Sequence, residues 1–493
     1  MSEENEDKVY IGLEKVLLKS EREERRKKIK RIIVSIVLCV LFLIVGFVGG
    51  YIFTYAIHPI NNADRNNTFG EIEAILEKEW IYAKDYDDLQ TELENKAFYG
   101  MTAFEEDPYT TYMSQDELDD FASNINMDYV GIGVQFMLNN NKAIIERVFS
   151  NSPAEKAGLL SGDIIEAVDG VSIEGMDTDE IKELVVGEEN AEVIITITRN
   201  NNTSDFSVIR SSIDNSVHCY TQDDYVVMEL SSFGVATGKE CMKYLDQYAN
   251  YEKIIIDLRN NTGGYQTSVK EIAGLFIGDG EVYLRQKNAN GVETADLTSC
   301  SKTYRNFNKY VLLVNGETAS AAEVFAICLK EQLDNVTIVG ETTYGKGVIQ
   351  STNYLLSGGV LKYTSYNWYS PNGVSINKVG IKPDVEVKLA DFAYEYYKEM
   401  AKDETYKYDS VSDIVRISQM GLELLGYDVD RKDGYFNKNF EIVLNDFKND
   451  NGLIANGILD SETYELIVSK SVFELSNKEN DVQFIKAVSL LEQ

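Results

Sequence analysis

Apolar positions divide the chain into stretches of different period. Ile32 to Ile57 is a run of 26 positions without a charged residue, longer than the ~20 needed to cross a bilayer as a helix. Residues 66–125 follow with two segments that read as helices, FGEIEAILEKEWIYAK and DLQTELENKAFYGMTAF. Up to residue 212, short apolar runs such as VIITITRN are broken by glycine turns. Between residues 213 and 390, strand-like runs at Val226–Leu230, Ile254–Leu258, Val311–Val314 and Val336–Val339 alternate with helical segments. That alternation predicts an α/β core. A charged, tyrosine-rich stretch at 391–408 precedes a second helical region, and residues 478–493 carry one more helical segment.

The most informative stretch runs from Tyr310 to Gln350. Its first strand breaks at Asn315-Gly316, and the helix that follows has Ala322, Val324, Phe325, Ile327, Cys328 and Leu329 as its apolar residues. Ser320 stands where that helix begins. Free N–H groups and the positive end of the helix dipole gather there, which suits a developing oxyanion. Ser320 and Glu323 also have the S-x-x-E spacing of a capping box. The second strand leads into Gly345-Lys346-Gly347, with Gln350 four residues beyond the lysine. On a straight strand Lys346 and Gln350 would share a face but lie about 13 Å apart. Direct contact between them therefore requires a bend at the glycines or a different local structure.

Composition narrows the chemistry. The net charge of −34 over 493 residues disfavours nucleic acid as a partner. There are two histidines. His58 abuts the apolar run and His218 stands outside any nucleophile motif, so a Ser-His-Asp triad would have to be built on His218. A Ser-Lys pair needs no histidine, but it needs a neutral lysine. Lowering a lysine pKa from ~10.4 to about 7 costs about 4–5 kcal/mol, which burial or a neighbouring cation can supply. The small or apolar flanks Gly345, Gly347, Val348 and Ile349 suit such a desolvated lysine. The five cysteines are widely spaced and lack metal-ligand spacing, so neither a metal nor a cofactor is expected. No disulfide framework is expected either, and a pairing of Cys219 with Cys241 or Cys300 stays open. Arg25, Arg26, Lys27, Lys28, Lys30 and Arg31 precede the apolar run, which places the N-terminus in the cytoplasm. No A-x-A site follows, so the run reads as an uncleaved anchor that ends at His58-Pro59.

The motifs also carry a family resemblance. NGETASAAE followed by GETTYGKGVIQ resembles the active-site signature of the C-terminal processing peptidases, also called tail-specific proteases. The resemblance implies that Ser320 attacks the peptide carbonyl, Lys346 is its base and Gln350 orients the lysine. Asp257 to Gly264, DLRNNTGG, is similar to a second family segment, with Thr262 where proline is usual. It implies an oxyanion hole made by backbone N–H groups at Gly263, Gly264 and Ala321. Gly380 to Val385 matches the family's closing segment. Asp107-Pro108-Tyr109-Thr110 resembles the segment that precedes the PDZ module, and by itself reads as a turn.

Residues 126–212 resemble a PDZ domain through YVGIGV at 129–134, SPAEKAGL at 152–159 and GDII at 162–165. The resemblance implies that Gly131, Ile132 and Gly133 present N–H groups to a peptide carboxylate, with Phe136 and helix residues near Ile181 and Leu184 shaping a pocket. Val186 to Asn190 replaces the family's usual Arg-Gly and Gly-Thr. Residues 409–475 resemble a peptidoglycan-binding domain, carried by Leu425-Gly426-Tyr427, Asp433 to Phe436, Phe447, Gly452-Leu453 and Gly457 to Asp460, with Lys448 where glutamine is usual.

The expected organisation is then a cytoplasmic segment (1–31), a transmembrane helix (32–57) and a helical N-terminal part of the protease (58–125). A PDZ domain (126–212), an α/β Ser-Lys protease core (213–390, crotonase-like by resemblance) and a linker (391–408) come next. A helical peptidoglycan-binding-like domain (409–475) and a tail (476–493) close the chain. The expected function is a membrane-anchored serine endopeptidase acting outside the cytoplasm. Its expected partners are proteins with exposed C-termini, the membrane and peptidoglycan, and a homo-oligomer stays open. The rival expectation is a catalytically silent scaffold that binds protein C-termini through its PDZ domain at the cell wall.

Overall fold

A computed structural model of the chain describes residues 63–493, apart from 127–129, 140–141, 213–215, 305, 357, 396–397 and 399. The expected membrane segment, 32–57, lies outside the described residues. Among those described, no helix is long and apolar enough to cross a bilayer. The described residues fall into two compact units that divide after Phe98. In the first, the described part holds helix α1 (Ala63–Glu79) and the start of α2 (Leu89–Thr102).

The second unit opens with strand β1 (Thr111–Met113) and helix α3 (Gln115–Asn126) and then enters the PDZ-like region. Its strands are β2 (Val130–Gly131), β3 (Val134–Asn139), β4 (Lys142–Val148), β5 (Ile164–Val168), β6 (Val171–Ser172), β7 (Glu192–Arg199), β8 (Asn202–Ile209) and β9 (Ser211–Ser212). Helices α4 (Pro153–Ala157) and α5 (Thr178–Val185) punctuate them. The main sheet runs β3-β4-β5-β7-β8, with β6 on β5, so β3 is an edge strand. Strand alternation sorts its residues. Ala143 and Ile145 turn into the domain's own core with Ile181 and Ile195, whereas Ile144 faces the other way.

The α/β core is built on β10 (Val217–Gln222), β11 (Tyr225–Leu230), β12 (Lys253–Asp257), β15 (Lys309–Val314), β16 (Val336–Gly340) and β19 (Val385–Glu386), paired in that order. All pairs are parallel except β10–β11. Runs such as IIID and VLLV are apolar on both faces because both faces are covered. Ile254, Ile256, Leu312, Val314 and Ile338 face helices α6 (Thr237–Gln247), α7 (Gln266–Ile277) and α8 (Ala321–Gln332). Their neighbours Ile255, Val311, Leu313 and Val339 face the opposite way. A second sheet, β1-β18-β13-β14 with β17 on β18, is formed with β13 (Val282–Asn288), β14 (Glu293–Leu297), β17 (Val348–Tyr354) and β18 (Val360–Tyr369).

The C-terminal region departs from the expected division. Strand β20 (Thr405–Tyr406) pairs with β21 (Leu459–Asp460). Phe392 and Met400, assigned above to a linker, are fully buried in the same core as helices α9 (Asp413–Leu424), α10 (Lys438–Asp450) and α11 (Ser461–Ser476). That core continues into Ile144 and Ile164 of the PDZ-like sheet. Ser469 donates to the Gly162 carbonyl at 2.6 Å and Lys142 pairs with Glu465 at 2.9 Å. A Cβ on Gly162 would lie 2.4 Å from the Ser469 carbonyl, so this glycine admits the helix. The helical region is thus docked on the PDZ-like sheet. The expected tail is helix α12 (Val482–Leu491). Its Ala487 and Leu491 are buried against Ile255, Val311, Leu313 and Val339, which makes α12 the cover of the core sheet's second face. Periodicity shows that such faces are buried, but not by what.

Candidate active site

The site grows from the turn that joins β15 to α8. Asn315 N–H donates to Thr318 Oγ1, and that hydroxyl donates to the Leu258 carbonyl at 2.8 Å. The Ala319 N–H donates to the carbonyl of Asn261 at 2.9 Å. Asn261 is fully buried; its Nδ2 donates to the Leu230 carbonyl at 2.8 Å and its Oδ1 accepts the Gly263 N–H at 2.9 Å. Three chain segments are thereby tied at the foot of the turn. Ser320 follows with φ 54° and ψ −118°, a backbone state that a residue with a Cβ adopts only at a cost of about 1–3 kcal/mol. It is half-buried at the N-cap of α8.

Glu323 makes that conformation hold. It is fully buried. One carboxylate oxygen accepts the N–H of Ser320 at 2.9 Å and the N–H of Lys346 at 2.9 Å. The other accepts the Gly345 N–H at 2.7 Å and the Thr343 hydroxyl at 2.5 Å. A single oxygen bridges the Ser320 and Lys346 segments, which puts the two backbone nitrogens within about 6 Å of each other. Burial raises the proton affinity of Glu323, and the donations from Thr343, Gly345, Lys346 and Ser320 work against that rise.

Lys346 is fixed at both ends of its peptide, since its carbonyl accepts Trp368 Nε1 at 2.8 Å. Gly345 has φ 88°, and a Cβ there would meet Gly380 N at 2.8 Å; at Gly347 a Cβ would meet Asn377 at 2.5 Å. The two glycines thus let the segment around Asn377–Gly380 close over the lysine. Burial, and next the Lys362 ammonium, lower the Lys346 pKa to about 8, while Glu323 and Asp107 pull the other way. Its Nζ makes no hydrogen bond to Ser320 or Gln350. It lies 4.5 Å from the centre of the Tyr109 ring.

Gln350 is placed differently from the expectation. Lys346 precedes β17, and the strand has a bulge between Ile349 and Gln350. Gln350 Nε2 donates to Thr364 Oγ1 at 3.3 Å, and that hydroxyl donates to Asp107 Oδ1 at 2.9 Å. Its amide nitrogen is thus engaged by the neighbouring strand. The expected oxyanion donors also divide. Gly263 N–H is taken by Asn261 Oδ1, so Gly263 is not a free donor. Its role is steric, because a Cβ there would lie 2.9 Å from both Ala321 N and Ser320 Cβ. The N–H groups of Gly264 and Ala321 donate to no protein acceptor among the described residues.

In the PDZ-like region, Ile132 and Gly133 use their carbonyls to accept from Ala154 and Phe149, and Gly131 pairs with Ser211. The N–H groups of Ile132 and Gly133 have no acceptor among the described residues. Phe136 and Leu184 are half-buried, whereas Ile181 is wholly inside the core. His218 lies elsewhere. It stands on β10 with Nδ1 3.6 Å from Glu229, where Glu229 also pairs with Lys478 at 2.7 Å and accepts from Ser150 at 3.1 Å. Burial opposes ionisation of Glu229, yet His218 and Lys478 hold its carboxyl well below the usual range. Cys219, Cys241, Cys300 and Cys328 are free thiols.

Comparison with known proteins fits this site. Residues 224–387 match peptidase family S41, residues 144–199 a PDZ domain and residues 411–467 a putative peptidoglycan binding domain. The carboxy-terminal processing protease CtpA of Bacillus subtilis (strain 168) is 32% identical over 84% of this chain and 87% of its own. A probable CtpA-like serine protease of Staphylococcus haemolyticus (strain JCSC1435) is 30% identical over 79% of this chain and 78% of its own. The chain belongs to the carboxy-terminal processing protease family. Among solved structures, a photosystem II D1 C-terminal processing protease is 25% identical, with a TM-score of 0.41, over 65% of this chain and 86% of that one.

The protease thus carries a serine peptidase domain, a PDZ domain and a helical peptidoglycan-binding-type domain. In the last, Lys448 is buried and held by Asn456 at 3.0 Å and Asp460 at 3.1 Å, so it braces the fold. Sequence reading singled out Ser320 and Lys346 but missed the work of Asn261 and Glu323. The S-x-x-E spacing was the one local sign of Glu323, and Asn261 stood in the DLRNNTGG segment without a role of its own.

Two outcomes follow from this geometry. Glu323→Gln keeps the size but turns an NH2 group toward donors, and should lower turnover by about a hundredfold with the fold retained by circular dichroism. An active Glu323→Gln variant would count against the bridging role. Activity should also rise with pH through about 8, because a base must be neutral to accept a proton. About a tenth of a lysine with that pKa is neutral at pH 7, against roughly one part in three thousand at the ordinary value. A pH–rate profile that is flat across this range, with chemistry rate-limiting, would contradict a lysine base.

Proposed function

We propose that the protein is a membrane-anchored endopeptidase that works outside the cytoplasm and cuts proteins near or from their C-termini. In this reading Ser320 is the nucleophile and Lys346 the base. The observation that carries it is the Glu323 bridge, which holds a strained serine at a helix N-terminus beside a lysine of lowered pKa. Ser320 Oγ attacks the scissile carbonyl as neutral Lys346 Nζ takes its proton. The negative oxygen of the tetrahedral intermediate accepts from the N–H groups of Gly264 and Ala321, at the positive end of α8. The intermediate then collapses, the C–N bond breaks, and Lys346 returns the proton to the leaving amine. Lys346 next takes a proton from water, whose oxygen attacks the acyl ester, and Ser320 is released with its proton. Lys346 Nζ works from its seat against the Tyr109 ring. Gln350 supports the lysine through the strand pair it shares with Thr364.

The PDZ domain recruits or gates substrate. Ile132 and Gly133 offer unpaired N–H groups to a terminal carboxylate, and the free edge of β3 offers backbone pairing. The apolar run at 32–57, with six basic residues in the seven positions before it, supports the anchor and its orientation. The C-terminal domain is proposed to hold the protease near peptidoglycan.

Incubating the purified chain with unfolded casein tests the chemistry. Ser320→Ala and Lys346→Ala should each abolish fragment release, and His218→Ala should leave most of it. Loss in His218→Ala together with activity in Lys346→Ala would overturn the Ser-Lys assignment. No cleavage by any form would favour a binding scaffold. For the PDZ domain, calorimetry should show weaker binding of an amidated peptide than of its free-acid form to the Ser320→Ala chain. Equal affinities would remove the carboxylate role and leave gating.

A further inference from the structure

The segment Asp107–Thr110 precedes the PDZ domain in the chain, yet it lies against the lysine and glutamine of the site. Asp107 organises it. Its carboxylate accepts the N–H of Tyr109 at 3.2 Å, the hydroxyl of Thr110 at 2.5 Å and the hydroxyl of Thr364 at 2.9 Å. Thr110 Oγ1 in turn accepts the Thr364 N–H at 3.0 Å, just beyond the last pair of β1 with β18. The segment is therefore fastened to the strand that pairs with Gln350.

That fastening delivers the Tyr109 ring to Lys346, with Nζ 4.5 Å from the ring centre. Tyr109 is half-buried. Burial, then the Tyr344 hydroxyl, push its own hydroxyl up to about 12, so the ring stays neutral at working pH. A neutral aromatic face offers an ammonium a weak, directional seat and offers a neutral amine an apolar wall. It keeps water from one side of the lysine in either state. A carboxylate in that place would lock the lysine as a cation. No ion pair to Lys346 Nζ occurs among the described residues.

We propose that Tyr109 is a positioning residue for Lys346: its ring seats the lysine side chain and shields it from water, and Asp107 holds the ring there. The proposal rests on the reading of Lys346 as the base. It assigns work to a segment that local sequence marks only as a turn.

The test uses the full chain and fluorescein-labelled casein, with Ser320→Ala and Lys346→Ala as controls. Tyr109→Ala should lower kcat by about tenfold with little change in KM or melting temperature, and Tyr109→Phe, which keeps the ring, should recover most of the loss. Should Tyr109→Ala fail to fold, Tyr109→Leu carries the same comparison. A second readout does not depend on turnover. Acetylation of Lys346 by acetic anhydride, followed by peptide mass spectrometry, is measured at about pH 10, where the amine is largely neutral and the rate reports access. It should be severalfold faster in Tyr109→Ala than in the parent chain. Unchanged kcat and unchanged acetylation would overturn the proposal, as would a rise in kcat, which would make the ring a restraint. If Lys346→Ala itself keeps cutting, the Ser-Lys reading fails instead, and the two failures are told apart.

Discussion

A buried carboxylate is the constraint on which the site depends. Glu323 takes four donors from two pieces of chain: the serine at the helix start, and the segment Thr343 to Lys346. Leaving a buried donor unpaired costs about 1–3 kcal/mol, comparable to the whole strain of the Ser320 backbone, about 1–3 kcal/mol. Four bonds on one group therefore outweigh that strain several times over. The strain can persist because the surrounding structure over-determines it. The same carboxylate faces backbone rather than the lysine ammonium, so it fixes where the lysine segment runs without neutralising its side chain as a salt bridge would.

The loop that supplies the oxyanion donors is held from an unexpected direction. Arg259, two residues from Asn261, pairs with Asp257 at 2.6 Å and with Asp481 at 2.7 Å. Asp481 is also the N-cap of α12, accepting from Gln483 and Phe484. The last helix of the chain thus closes the second face of the core sheet and anchors the arginine beside the glycine turn. Because Asp257 and Asp481 flank it, the half-buried guanidinium stays charged. A compact protease core therefore includes residues 482–491, which in chain order come after the helical C-terminal domain.

The domains are also less separate than their order suggests. The PDZ-like sheet shares a core with the C-terminal helices through Ile144 and Ile164. A second meeting point lies around Glu229, where Ser150 of the PDZ-like region, His218 of the core and Lys478 of the segment before α12 converge. Such shared polar and apolar contacts give domain motion a specific cost, since each shift must expose apolar surface or unpair a buried charge.

By itself the sequence determined the class of the fold, the identity of the three domains and the two residues in which the chemistry is expected to centre. It could do so because those features are local: a run of apolar residues on a strand, a glycine that permits a turn, a serine at a helix start, a lysine between glycines. Tertiary structure alone decided which groups meet. Glu323 looked like a cap because its spacing to Ser320 is three residues, and its bonds to Gly345 and Lys346 span more than twenty. Tyr109 looked like part of a turn because its partner Lys346 lies far along the chain. Gly263 passed for a donor because nothing local shows that Asn261 already occupies its N–H. Hydrophobic period reports that a face is buried and leaves open what buries it. Long-range packing settles that, and here it folded a presumed linker and a presumed tail into two cores.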